Sequence, residues 1–176
     1  MQDQEIISRT IEFVKVELEG AEGGHDWWHI YRVWKTARTI AKGENVNLLV
    51  VELGALLHDI ADSKFHNGDE SVGPRKARAF MECLSIDSEV IEHVIKIIQN
   101  ISFKSSMSAE LDFYSEELAV VRDADRLDAI GAVGIARTFN YGGFKNYSIY
   151  DPGIAPNLNM TKETYKNSTA PTINHF

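Results

Sequence analysis

The sequence predicts an all-α fold. Three observations carry that prediction: every apolar run long enough to show a period repeats at helical spacing, no segment alternates at period two, and no internal repeat divides the chain. At 176 residues a single helical domain with a sizeable core is expected. Residues 1–139 are expected to form it as a helical bundle, with 140–176 as an irregular C-terminal extension.

Ile7, Ile11, Val14 and Leu18 recur at i, i+4, i+7 and i+11, which predicts a first helix that stops near residue 21, where Gly20, Gly23 and Gly24 follow. A second is predicted from Asp26 to Lys42, with Ile30, Val33, Trp34, Ala37 and Ile40 on one side and His25, His29, Arg32 and Thr36 on another. Leu48 to Ala61 is apolar almost all round, so this third helix is expected in the middle of the domain, and its polar residues require a reason. Pro74 suits the first turn of a fourth helix through Ala77, Phe80, Met81 and Leu84, and Val90, Val94, Ile98 and Ile101 mark a fifth. A sixth, long helix is predicted from Glu116 to about Phe139 through Leu118, Val121, Leu127, Ile130 and Val133. Pro152, Pro156 and Pro171, with many asparagines, make the remainder irregular.

Lys and Arg total 18 against 26 Asp and Glu, a formal charge of −8 that disfavours nucleic acid as a partner. A small phosphorylated substrate stays compatible with it, because a metal ion or local cations reverse the field within one cleft. The lone Cys83 has no intrachain partner and is expected to be a buried structural thiol in a reducing compartment. The first residues have neither a basic nor an apolar leader pattern, and the longest apolar stretch, Ala129 to Ala136, is far short of the roughly 20 residues of a membrane span. A cytoplasmic protein without a membrane partner is expected.

His58 and Asp59 end the most apolar run, where an imidazole and a carboxylate are costly unless paired or bound to metal. A His-Asp pair bonded within the helical core is one reading of these two residues. The other takes in His29 on the polar stripe of the second helix and Asp125, which shares a helical side with Leu118, Val121 and Ala132. Two histidines and two aspartates converging from three helices would offer two nitrogen and two oxygen ligands to a divalent cation of the Mn²⁺, Fe²⁺, Co²⁺ or Mg²⁺ kind.

The order His29, His58-Asp59, Asp125 resembles the H…HD…D signature of the HD superfamily of metal-dependent phosphohydrolases. Gly24-His25-Asp26-Trp27-Trp28-His29 and Asp123-Ala124-Asp125-Arg126-Leu127-Asp128 narrow the resemblance to a bacterial YpgQ- and YedJ-like branch, over about residues 20–140. The resemblance implies a helical bundle of HD-domain type. It also implies one divalent ion, Mn²⁺ by preference, held by His29, His58, Asp59 and Asp125. A second ion is not expected, since only His66 and His93 fall between the HD pair and the last aspartate, and His93 reads as a surface residue.

In several members an acidic residue at the offset of Asp62 moves a proton, so Asp62 is the expected catalytic group, its rival reading being a helix-end carboxylate in solvent. Arg32, Lys64 and His66 are candidates to offset phosphate charge, and His25 and Asp128 to support the ligands from behind. Trp27, Trp28 and Trp34 either stack on a base or pack in the core, with core packing expected for at least two. The activity implied is hydrolysis of nucleoside triphosphates to monophosphate and pyrophosphate. A nucleotidase or phosphodiesterase using the same site and a metal-bearing nucleotide sensor without turnover are its rivals. Expected partners are a small nucleotide and, as one option, a second copy of the chain in a homodimer. Relatives continue past a segment like 170–176, which implies a chain that stops short of their length.

Overall fold

The computed structural model describes residues 2–21, 26–61, 69–102, 113–159, 161, 164 and 168–175; among them seven α-helices follow one another and no residue lies in a strand. The chain divides into two compact units, Met1–Leu127 and Asp128–Phe176.

The first unit takes its order from the apolar stripes. Helix α1 (Asp3–Glu17) buries Ile6, Ile7 and Val14, and α2 (Trp27–Ile40) buries Ile30, Val33, Trp34 and Ala37 before a 3-10 turn at Ala41–Gly43. Helix α3 (Leu48–Leu57) is the centre of the core: every residue from Val50 to Leu57 is buried. Asn47 starts it, its side-chain oxygen accepting the N–H of Leu49 at 3.1 Å and of Val50 at 3.4 Å. Helices α4 (Val72–Cys83), α5 (Ser88–Asn100) and α6 (Glu116–Asp128) complete the set, contributing Ala77 and Met81, Val94 and Ile97, and Leu118 and Val121. At Gly54 on α3 an added Cβ would stand 3.3 Å from Ile97 Cγ2 and 3.4 Å from Val121 Cγ2, so the missing side chain lets α3 approach both α5 and α6 closely.

Several expected boundaries move, the first helix ending at Glu17 rather than near residue 21. Helix α3 ends at Leu57 rather than Ala61, and the expected sixth helix is two: α6 stops at Asp128 and α7 begins at Gly131. Leu127, Ile130 and Val133 carry the helical period across that break, yet all three are exposed, so their spacing reflects no buried stripe. Gly131, at φ +69, turns the backbone in a conformation that L side chains rarely adopt. Cys83 is also corrected: it is exposed, because α4 buries the face of Gly73, Ala77 and Met81 and position 83 lies well round the helix from it.

In the second unit α7 (Gly131–Phe144) extends beyond the expected boundary at 140, and a 3-10 turn at Thr172–His175 returns to the chain after it. The N–H groups of Thr172 and Ile173 donate to the carbonyls of Ser148 and Ile149 at 2.8 and 3.1 Å, and Arg137 pairs with Asp128 at 2.7 Å. No helix among the described residues is long and apolar enough to cross a membrane.

Candidate metal centre

Asp26 fixes the first histidine. Its carboxylate accepts the N–H of His29 at 3.0 Å as the cap of α2, which places His29 in the first turn. Ile30, Val33 and Ala37 draw the neighbouring face inward, and His29 is carried with them to 1% exposure.

The second histidine is fixed by the end of α3. The last carbonyls of a helix lack intrahelical partners, and His58, the first residue past Leu57, donates its Nδ1–H to one of them, that of Ala55, at 2.8 Å. The bond selects the tautomer with a lone pair on Nε2. That Nε2 is buried and has no hydrogen-bond partner.

Helix α6 brings the carboxylate. Ser115 accepts the N–H of Leu118 at 3.1 Å to start it, and burial of Leu118, Val121 and Ala124 sets the phase that presents Asp125 beside them. Asp125 Oδ1 lies 3.5 Å from His29 Nε2 and 3.7 Å from His58 Nε2, and the two imidazoles meet edge to face at 5.4 Å. One ligand atom from each of these three residues falls within 4.8 Å of the others. A separation of 3.7 Å is too long for a hydrogen bond. The buried Nε2 of His58 therefore has no hydrogen-bond partner, the Asp125 carboxylate standing at ion-pair distance from it, and two imidazole nitrogens with a carboxylate oxygen gathered there form a donor set suited to a divalent cation.

A buried brace sets the register of the two histidine helices. Glu52 on α3 accepts the indole N–H of Trp34 on α2 at 3.0 Å and pairs with Arg38 Nε at 3.2 Å, through the same oxygen. Sequence reasoning did not single out Glu52. Its signal was present, as the one acid inside the apolar run from Leu48 to Leu57.

The model of the HD domain family matches residues 27–130, which takes in His29, the His58-Asp59 pair and Asp125. The chain belongs to the HD-domain family. Bacillus subtilis YpgQ is 36% identical over 140 residues, spanning 78% of this chain and 67% of that protein. The structure of YpgQ in complex with ADP superposes with a TM-score of 0.66 at 33% identity, over 95% of this chain and 79% of that one. A Lactobacillus plantarum protein reaches a TM-score of 0.86 at 34% identity, covering all of this chain and 81% of its own. An HD-superfamily hydrolase of Bacillus thuringiensis is 42% identical, with a TM-score of 0.71 over 99% and 78% of the two chains. The resemblance to the YpgQ-like branch is borne out, and with it an all-α fold of HD-domain type.

Within this HD domain the structure gathers His29, His58 and Asp125; Asp59 falls outside their 4.8 Å group, but its charge acts on both His58 and Asp125. Burial works against a charged His58, and the carboxylates of Asp125 and Asp59 outweigh it, raising the imidazole to about 9 in the metal-free protein. Burial likewise pushes the Asp125 carboxyl up, and His58 and His29 more than reverse this, holding it below the ordinary carboxylate range. Arg32 is half-buried on α2, one turn past His29, and Asp128 carries the ion pair to Arg137. His25, Asp62, Lys64 and His66 lie outside the described residues. Helix α3 ends at Leu57, where the His58 ring takes up the Ala55 carbonyl. His93 is half-buried rather than on the surface: its Nε2 lies 2.9 Å from Ser115 Oγ and 3.4 Å from Glu117, and Asn47 N–H donates to the same Glu117 at 2.9 Å.

Proposed function

We propose that this HD domain is a metal-dependent phosphohydrolase that converts nucleoside triphosphates to monophosphates and pyrophosphate. The observation that carries the reading is the buried His58 Nε2, aimed into a cluster with His29 and Asp125 and bonded to nothing in the protein. The ADP complex of the similar YpgQ supports a nucleotide as the substrate class.

In this reading His29, His58, Asp59 and Asp125 hold one divalent cation, with Mn²⁺ preferred. A cation in that site supplies Lewis acidity, offsetting phosphate charge and lowering the pKa of water. The Ala55 carbonyl keeps the His58 lone pair directed at the site, and the hydrogen bond from Nδ1 raises the basicity of Nε2. Asp62 orients the attacking water and takes its proton, Arg32, Lys64 and His66 offset charge along the phosphate chain, and His25 and Asp128 support the ligands. The partners are a small nucleotide and, in the assembled state, a second copy of the chain; the protein acts in the cytoplasm.

The test is hydrolysis by stripped protein reloaded with Mn²⁺, Mg²⁺ or Co²⁺, against nucleoside triphosphates, monophosphates and cyclic nucleotides, with pyrophosphate and phosphate resolved. Pyrophosphate from triphosphates supports the reading. Phosphate from monophosphates selects a nucleotidase, and a silent panel with metal bound leaves the catalytic reading without support and shifts the weight to a sensor or to a substrate outside the panel.

A further inference from the structure

Helix α2 carries three tryptophans, and the structure gives them different surroundings. Trp34 is 7% exposed and donates to Glu52, and Trp27 is half-buried against the core with the Lys15 ammonium 4.9 Å from its ring centre. Trp28 is 61% exposed. Tyr31 meets it edge to face at 5.9 Å. An edge-to-face contact of that kind orients an indole and covers at most one of its two π-faces.

The position of this ring along the helix gives it a use. Trp28 immediately precedes His29, whose backbone is held by the Asp26 cap, so the two residues stand at the same level of α2 on adjoining faces. Arg32 is four residues on from Trp28 and three on from His29, which puts it one turn along, between the two directions. Going round the helix, one meets a metal-ligand candidate, then a guanidinium, then an open aromatic face. A nucleotide presents the same sequence of chemistry, with phosphates at one end and a flat π-system at the other.

We propose that Trp28 is the base-stacking residue of the site, giving a nucleobase a platform beside the phosphate-binding end formed around His29 and Arg32. The inference rests on the nucleotide reading above and adds to it the residue that distinguishes a nucleotide from a bare polyphosphate. Stacking accepts any base, because every base has a π-face, so the platform selects for the presence of a base and discriminates little among them.

The experiment compares ADP with inorganic pyrophosphate as ligands of the full chain loaded with Mn²⁺, by calorimetry, in wild type, Trp28→Ala and Trp28→Phe. The expected result is an affinity ratio in favour of ADP that falls about tenfold in Trp28→Ala and is largely recovered in Trp28→Phe, the size that loss of one base–aromatic stack gives. A preference for ADP kept in full by Trp28→Ala overturns the platform and leaves the nucleotide reading standing. No preference for ADP in wild type overturns both. Because binding rather than turnover is read, failure of the hydrolytic activity registers separately, in the product assay.

Discussion

Glu52 receives the indole N–H of Trp34 at 3.0 Å, and these two side chains join the helix that carries His29 to the helix that His58 directly follows. His29 is five residues before Trp34, and His58 is six after Glu52. A bond between buried groups at that distance along each helix sets how far α2 and α3 slide past one another, and so whether the two imidazoles meet. Glu52→Leu leaves the Trp34 N–H buried without an acceptor and Arg38 without its partner, and is expected to cost about 2–3 kcal/mol in urea unfolding. Glu52→Gln keeps an acceptor for Trp34, and about 1 kcal/mol is expected from loss of the charged partner alone.

Gly54 makes the matching prediction for α3 against α6. A valine there sets its Cβ 3.3 Å from Ile97 Cγ2 and 3.4 Å from Val121 Cγ2 before either methyl group is added, and overpacking of this kind costs about 1–3 kcal/mol. Since His58 is on one of the helices pushed apart and Asp125 on another, Gly54→Val is expected to weaken Mn²⁺ binding as well as stability, which titration of the folded variant checks.

Metal removal has a sign that follows from mass action. An ion that binds only the folded chain stabilises it by about 2.7 kcal/mol at a hundredfold excess over Kd. Mn²⁺ is therefore expected to raise the Tm of wild type and a chelator to lower it, while His58→Ala and Asp125→Ala melt at the same temperature with or without the ion.

Protons compete with the metal for His58. With its pKa raised to about 9, this imidazole is protonated at pH 7 in the metal-free protein, and a ligand nitrogen must lose that proton. Mn²⁺ binding at pH 7 is expected to release close to one proton, and the apparent affinity to rise about tenfold per pH unit up to the pKa, read by calorimetry in buffers of different ionisation enthalpy. In the metal-free protein the folded pKa lies above the ordinary 6.5, so the stability from this ionisation is fully present below pH 6.5 and is lost as pH rises through about 9. Asp125→Asn removes the carboxylate that holds the proton, and the His58 pKa is expected to fall in an NMR titration.

Much of this site was legible because its residues are costly where they stand. His58 and Asp125 sit beside apolar stripes that the helical period exposes, and the spacing H…HD…D carries the family directly. The α6–α7 break was not legible from the period, because Leu127, Ile130 and Val133 keep helical spacing across it while remaining exposed; Gly131 was the signal that outweighed them. The Ala55 carbonyl has no sequence signature at all, since every residue has one and only the fold decides which is left over at a helix end. Trp27, Trp28 and Trp34 were equivalent in sequence and are separated by the phase of α2.

The most direct test of the account is a crystal structure of the Mn²⁺-loaded protein with anomalous scattering measured at the manganese edge. One anomalous peak is predicted, bonded to Nε2 of His29, Nε2 of His58 and carboxylate oxygens of Asp59 and Asp125. A peak elsewhere in the chain, with His58 Nε2 still bonded to nothing, would contradict it.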